Sequence, residues 1–189
     1  MEPEADMLTV DEATALGTEV SLPEEQFLQV YLGDLPLLLP VNQLVEIMTL
    51  AMGQVVPMFH MADWVMGVYN WRGEMLWIAD LGHFFGLPPW YQQVKTATKH
   101  TVVVIKPPTP PTEPGDISPT IGFVVSQIDG MVAYPLTAIQ SGLDGFPSGR
   151  DATIRPFLQE YCQLEAAPPQ GILAGAIILD AMAQAHQSF

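Results

Sequence analysis

From Phe27 onward the chain alternates short apolar stretches with turn residues, the spacing expected of a small all-β barrel or sandwich. Phe27, Val30 and Leu32 open the first stretch, Gly33-Asp34 turns it, and Leu37–Leu39 carries it to Pro40. Leu44–Leu50 is the next expected strand, and Val55–Phe59 is an extended piece containing Pro57. Trp64–Tyr69 then runs into the polar group Asn70-Trp71-Arg72-Gly73, and Met75–Ala79 follows. Asn and Gly tolerate positive φ, so this segment predicts a β-hairpin with Arg72 on its turn, facing solvent or a partner. Asp80 stands where it would cap a short helix beginning at Leu81–Phe85. Pro88-Pro89 breaks the chain after it.

The second half repeats this texture. Thr101–Lys106 is strongly β-like, and Pro107–Pro119 is a proline-rich surface loop whose PPTPP could offer an extended recognition motif or simply link two strands. Ile121–Val125 and Met131–Tyr134 predict a hairpin turned by Asp129-Gly130. Leu143–Arg150 reads as loop, Phe157–Leu164 and Ile172–Leu179 as a final strand pair around Pro168-Pro169, and Ala181–Gln187 as a closing helix. MLWIADLGHFFG and AIILDAMAQAHQ share the order apolar strand, Asp, amphipathic helix. Asp80 and Asp180 would each be a helix N-cap, and the echo suggests two units of like construction.

Composition narrows the function classes. At 189 residues and 49% apolar, the chain is long and greasy enough to bury a substantial core. Residues 1–25 hold eight acidic residues and no basic one, a composition expected of a flexible acidic tail, leaving 26–189 as the folded unit. Twenty-one Asp and Glu against six Lys and Arg argue against nucleic acid and anionic membranes as ligands. The longest apolar run, Gly171–Leu179, is far short of the roughly 20 residues a membrane helix needs. No basic start precedes an apolar stretch, so no signal peptide is read and the expected location is the cytoplasm. The single cysteine, Cys162, allows no intramolecular disulfide and is expected as a small buried hydrophobe.

Catalytic and metal chemistry find no footing in the residue pattern. His60, His83, His100 and His186 are scattered without metal-ligand spacing. No nucleophile elbow and no glycine-rich phosphate loop occurs. Asp63 and Asp80 could pair as acid and base, but turn and cap roles account for both. The chain is therefore expected to be no enzyme and to carry no cofactor. Arg72 is one of only two basic residues before Lys99, the other being Lys95. On a hairpin turn it either braces a neighbouring loop or reaches a partner carboxylate. Glu46, inside the otherwise apolar LVEIM, is expected to face outward from its strand as a solvated edge charge or a partner contact.

The segment Asp63–Leu81 resembles the CheW-like domain, the adapter module of bacterial chemosensory arrays. Trp64, Val65, Gly67, Val68, Asn70, Arg72, Gly73, Asp80 and Leu81 fall in register with that family's hairpin and its following "vDL". QFLQVYLGD, LPVNQLVEIM and VVPM match upstream, and VVVI, TIGFVVSQIDGMV and GAIILD occupy the places of the second half, so the resemblance spans roughly Gln26 to Met182. It implies a mostly β fold of two small five-stranded SH3-like barrels packed over an apolar seam. It also implies a non-catalytic scaffold joining a chemoreceptor or photoreceptor helical tip to a CheA-type histidine kinase. Receptor-binding positions carried over are Arg72, Glu46, Val41 and Leu44, the last two also being candidate core; no kinase-binding residue is assigned. Trp71 stands where the family usually has Leu, Ser126 where it has Asp, and Pro107–Pro119 and Asp144–Pro156 exceed the usual loop lengths. The tryptophan and glutamine usage and these loops are similar to CheW-like proteins of cyanobacterial pilus-motility and phototaxis systems. Two other readings stay open: a small-molecule-binding barrel with Trp64, Trp71, Trp77 and Trp90 lining a pocket, and an adapter for a response regulator or motility protein.

Overall fold

The computed structural model describes residues 23–92, 98–106, 120–147, 152–165 and 167–186. The acidic segment up to residue 22, the Pro107–Pro119 loop with its PPTPP, Lys95, Arg150 and the side chain of His186 lie outside the described residues. In chain order the elements are β1 (Glu24–Leu32), β2 (Leu35–Pro40), β3 (Leu44–Ala51), β4 (Val65–Trp71), β5 (Glu74–Asp80) and α1 (Leu81–Phe84). There follow β6 (Lys99–Ile105), β7 (Ile121–Val125), β8 (Gln127–Pro135), β9 (Ile139–Ser141), β10 (Leu158–Cys162), β11 (Gln170–Leu173) and α2 (Gly175–His186).

These strands form two sheets whose members interleave along the chain. One has the order β8-β1-β2-β11-β10-β9, the other β3-β6-β7-β5-β4. The chain begins in the six-stranded sheet, builds the whole five-stranded sheet from β3 to β7, and then returns. The return is made at Ser126. Ile121–Val125 pairs with β6 and β5, whereas Gln127–Pro135 pairs with β1. Asp129-Gly130 is therefore no hairpin turn. It is a bulge within β8, where Gly130 adopts φ 128° and the register against β1 shifts. The Ser126 hydroxyl accepts a bond of 2.8 Å from the Gly33 amide, bracing the β1–β2 turn against the crossing.

Interleaving explains the unbroken apolar runs. A strand with one wet face alternates apolar and polar residues, whereas one buried on both faces reads as continuously apolar. In β6, Val102 and Val104 face the interior of the five-stranded sheet, and Val103 and Ile105 face the other sheet. Leu37, Leu38 and Leu39 of β2 divide in the same way, Leu38 joining Phe27, Ile172 and Cys162 inside the six-stranded sheet. The largest buried cluster is the seam itself, where Leu28, Val30 and Leu32 meet Val103, Phe123 and Val125. Cys162 is buried, and burial pushes its thiol pKa up, as befits a packed hydrophobe.

Two helices close the seam. The sequence assigns Ile172–Leu179 to a strand, but β11 ends at Leu173 and α2 starts at Gly175, so Asp180 lies within the helix instead of capping it. A short apolar run fits either period, and here the helical one wins because Ile178, Leu179 and Met182 all bury into the seam. α1 is capped as expected: Asp80 Oδ1 accepts from the His83 amide at 3.0 Å. Its Phe84 packs against Trp64 and Phe157, ring centroids 5.3 and 5.1 Å apart. The long loop before β10 is tied down by Arg155, whose Nη1 donates to the Phe146 carbonyl at 2.9 Å.

In the six-stranded sheet, Glu25 of β1 feels the charge of Glu160 of β10. Burial, and secondarily the Glu160 charge, push the Glu25 carboxyl above its ordinary value of 4.5. A raised carboxyl pKa means the folded state holds its proton more tightly than the unfolded one. The associated stability is therefore full at acid pH and is lost as pH rises from the ordinary carboxylate range through the folded value. Glu25→Gln is expected to raise the urea midpoint at pH 7, with the gain shrinking toward pH 4. A gain equal at both pH values would show that the charge is irrelevant.

Candidate functional site

β3 is an edge strand, and a register shift between Leu44 and Glu46 sets the phase of its side chains. Glu46 and Met48 stand opposite Val104 and Val102, so Glu46 shares the inner side with Met48 and Leu50. Val45 and Ile47 are the exposed members. The outward orientation expected of Glu46 is thus reversed: the extra residue at the bulge exchanges the two faces. Glu46 escapes burial by sitting at the open rim of the sheet.

The β4–β5 hairpin delivers its partners to that rim. Trp71 and Glu74 form the last strand pair, leaving a two-residue connection, Arg72-Gly73. Both residues have positive φ, 56° and 87°, the requirement of a type I′ turn that matches strand twist. Asn70 supports it through Oδ1, which accepts from the Gly73 amide at 3.0 Å. Arg72 Nη2 donates to Glu46 Oε2 at 2.9 Å, and Trp71 Nε1 donates to the same oxygen at 2.8 Å. The guanidinium carbon lies 5.0 Å from the Trp71 ring centroid, a cation–π distance. Arg72 keeps 69% of its side chain exposed in this arrangement.

Of the four residues expected at a receptor surface, Glu46 and Arg72 come together although 26 positions apart. Val41 and Leu44 lie elsewhere. Val41 opens the single 3-10 turn Val41–Gln43 between β2 and β3, and Leu44 packs against the seam core. Sequence reasoning did not foresee Trp71 as the second donor to Glu46; its only signal was a tryptophan where the related motif carries leucine. Nor did it foresee a patch of exposed apolar residues beside the hairpin. Val56 and Met75 are exposed there, and Met58 and Phe59, which follow Val56 in the chain, are exposed too, Phe59 at 88%. Val56, Val68, Tyr69 and Met75 line a shallow groove of about 290 Å³ beneath it.

The other chemical candidates disperse. Asp80 is buried with both oxygens occupied by backbone amides, Oδ2 accepting from Trp90 at 2.8 Å, which is cap chemistry. Trp64 and Trp77 line an apolar pocket of about 250 Å³ with Met61, Leu179 and Met182. Trp90 lines a separate one of about 330 Å³, and Trp71 stands at the rim, so the four tryptophans do not converge. Among the described residues no group of three or more His, Cys, Asp and Glu could hold a metal, and no helix is long and apolar enough to cross a membrane.

Two interleaved β-sheets over an apolar seam, with a charged rim and an exposed apolar patch, define a two-barrel β module whose surface chemistry suits binding. The CheW-like domain family model matches residues 26–181, and the chain belongs to the CheW-like domain family. Among solved structures it is similar to the scaffolding protein TtCheW from Thermoanaerobacter tengcongensis. The TM-score is 0.61 at 12% sequence identity, over 80% of this chain and 89% of that one. No curated protein sequence matches the chain.

Proposed function

We propose that the protein is a non-catalytic chemosensory scaffold that couples the cytoplasmic helical tip of a receptor to a CheA-type histidine kinase, in taxis or pilus-based motility. The observation that carries this reading is the Glu46–Arg72 pair at the rim, held by Trp71, with both of its charges on positions the resemblance links to receptor coupling. A planar guanidinium held on an aromatic ring, with most of its surface open, suits a carboxylate on a partner helix. The seam supplies the apolar companion surface. Leu44 from the edge strand β3 and Ile128 from the edge strand β8 both pack onto it, with Val41 nearby on the same segment as Leu44. An amphipathic helix laid between two such strands follows the helix-in-groove mode. The kinase side falls to the patch of Val56, Met58, Phe59 and Met75, an apolar centre of the kind protein interfaces bury. With such partners the protein would act in the cytoplasm.

The test is co-purification from the native cell with a tagged chain, beside Arg72→Glu and the double variant Phe59→Asp/Met75→Asp. Wild type is expected to recover a histidine kinase and a coiled-coil receptor. Arg72→Glu should lose the receptor and keep the kinase, and the patch variant should do the reverse. Recovery of neither by wild type, followed by no binding of purified candidates at roughly 100 μM, would end the scaffold reading.

A further inference from the structure

The rim pair is unusual in how it is held. An isolated exposed ion pair contributes little, because ordering two long side chains offsets most of the attraction. Glu46 and Arg72 on their own would exchange among many rotamers. Trp71 changes this, because its indole is anchored: it packs, partly buried, against the core of Leu50, Leu76, Ile78, Val102 and Val104. From that anchor its Nε1–H fixes Glu46 Oε2 at 2.8 Å, and its ring face carries the Arg72 guanidinium at 5.0 Å. Both donors fall on Oε2, so the carboxylate is turned in one direction, and Arg72 is held by one nitrogen with the rest of its fork exposed.

We infer that Trp71 is a positioning residue, one that transfers the rigidity of the barrel core to the Glu46–Arg72 pair and so fixes the orientation in which Arg72 meets a partner carboxylate. The leucine usual at this position could fill the same apolar space, but it offers neither an N–H for Glu46 nor a π face for Arg72. The role rests on the scaffold reading above, and it makes the rim of this chain preorganised where a leucine-bearing rim is adaptable.

The test has two readouts. In the free protein labelled with ¹⁵N, Glu46→Gln is expected to shift the indole N–H resonance that disappears in Trp71→Phe, leaving the other three tryptophan indoles unmoved. Binding is then measured with a soluble fragment of the receptor tip recovered by co-purification. Trp71→Phe and Trp71→Leu should each weaken it roughly tenfold under conditions where urea titration shows both variants fully folded, and the loss should largely vanish in an Arg72→Ala background, since coupled residues are non-additive. Trp71→Phe binding like wild type, or a loss that adds in full to that of Arg72→Ala, would overturn the role of Trp71 alone. Wild type binding no recovered tip would remove the scaffold reading and this role with it.

Discussion

Arg72→Asn is expected to leave the protein as stable as wild type while reducing receptor-tip binding by at least an order of magnitude. Arg72 sits at φ 56°, a left-handed conformation that costs an ordinary side chain about 1 kcal/mol. Asparagine tolerates that conformation, and Asn-Gly is the preferred type I′ pair, so the substitution relaxes the turn. Against this gain stand the lost exposed ion pair, about 0.2–1 kcal/mol, and the lost cation–π contact, about 0.5–1 kcal/mol. The terms are of one size and nearly cancel. A strained arginine retained at no net benefit to stability is what a functional position looks like. The measurement is a urea midpoint together with titration of the receptor tip. A midpoint falling by well over 1 kcal/mol-equivalent with binding intact would make Arg72 a brace for Glu46 and nothing more.

Whatever local chemistry decides was legible in the sequence; whatever pairing over distance decides was not. The β4–β5 hairpin, the Gly33-Asp34 turn and the Asp80 cap are each settled within a few residues by turn or cap preferences, and each stands where the chain predicts it. Asp129-Gly130 carries the same local signal as a hairpin turn yet serves as a bulge. The difference lies in β8 pairing with β1, nearly 100 residues earlier in the chain for some pairs, across the Ser126 switch. VVVI reads as a strand but cannot say that one face belongs to its own sheet and the other to the seam. GAIILD is apolar enough for either period, and only its contacts in the seam make it helical. At the rim, Glu46 was identifiable as an odd charge in an apolar strand and Arg72 as a rare cation on a polar turn. Their meeting was not, because Glu46 reaches Arg72 only after a bulge in β3 reverses the strand's faces.

Among the described glycines, Gly67→Ala is expected to be the most damaging alanine substitution. Gly67 lies in β4 at φ 139°, a region that costs a residue with a side chain about 1–3 kcal/mol. The space beside it is also taken. A β-carbon there would press into the Val56 carbonyl oxygen, lie 2.7 Å from the Val56 carbonyl carbon and 3.0 Å from Pro57 Cα. All three are backbone atoms, so no rotamer change relieves the clash, and overpacking of this kind adds about 1–3 kcal/mol. What must yield is the strap that follows β3. Val56 exchanges both backbone bonds with Val68, 2.8 and 2.9 Å, and this bridge draws the chain leaving one edge of the five-stranded sheet onto the strand at its other edge. Losing it opens the sheet and displaces Val56, Met58 and Phe59 together. A destabilisation on the order of 2–6 kcal/mol follows from those two contributions, read as a drop in urea midpoint at unchanged slope. The amide of Val68 should lose its hydrogen-exchange protection, and kinase binding should fall even in the fraction that remains folded. Gly33→Ala separates strain from clash: Gly33 has φ 61° but nothing within 4 Å of an added β-carbon, so it bears the conformational cost alone, about 1 kcal/mol. If Gly67→Ala proves no worse than Gly33→Ala, the strap is pliant and the barrel does not depend on it for closure.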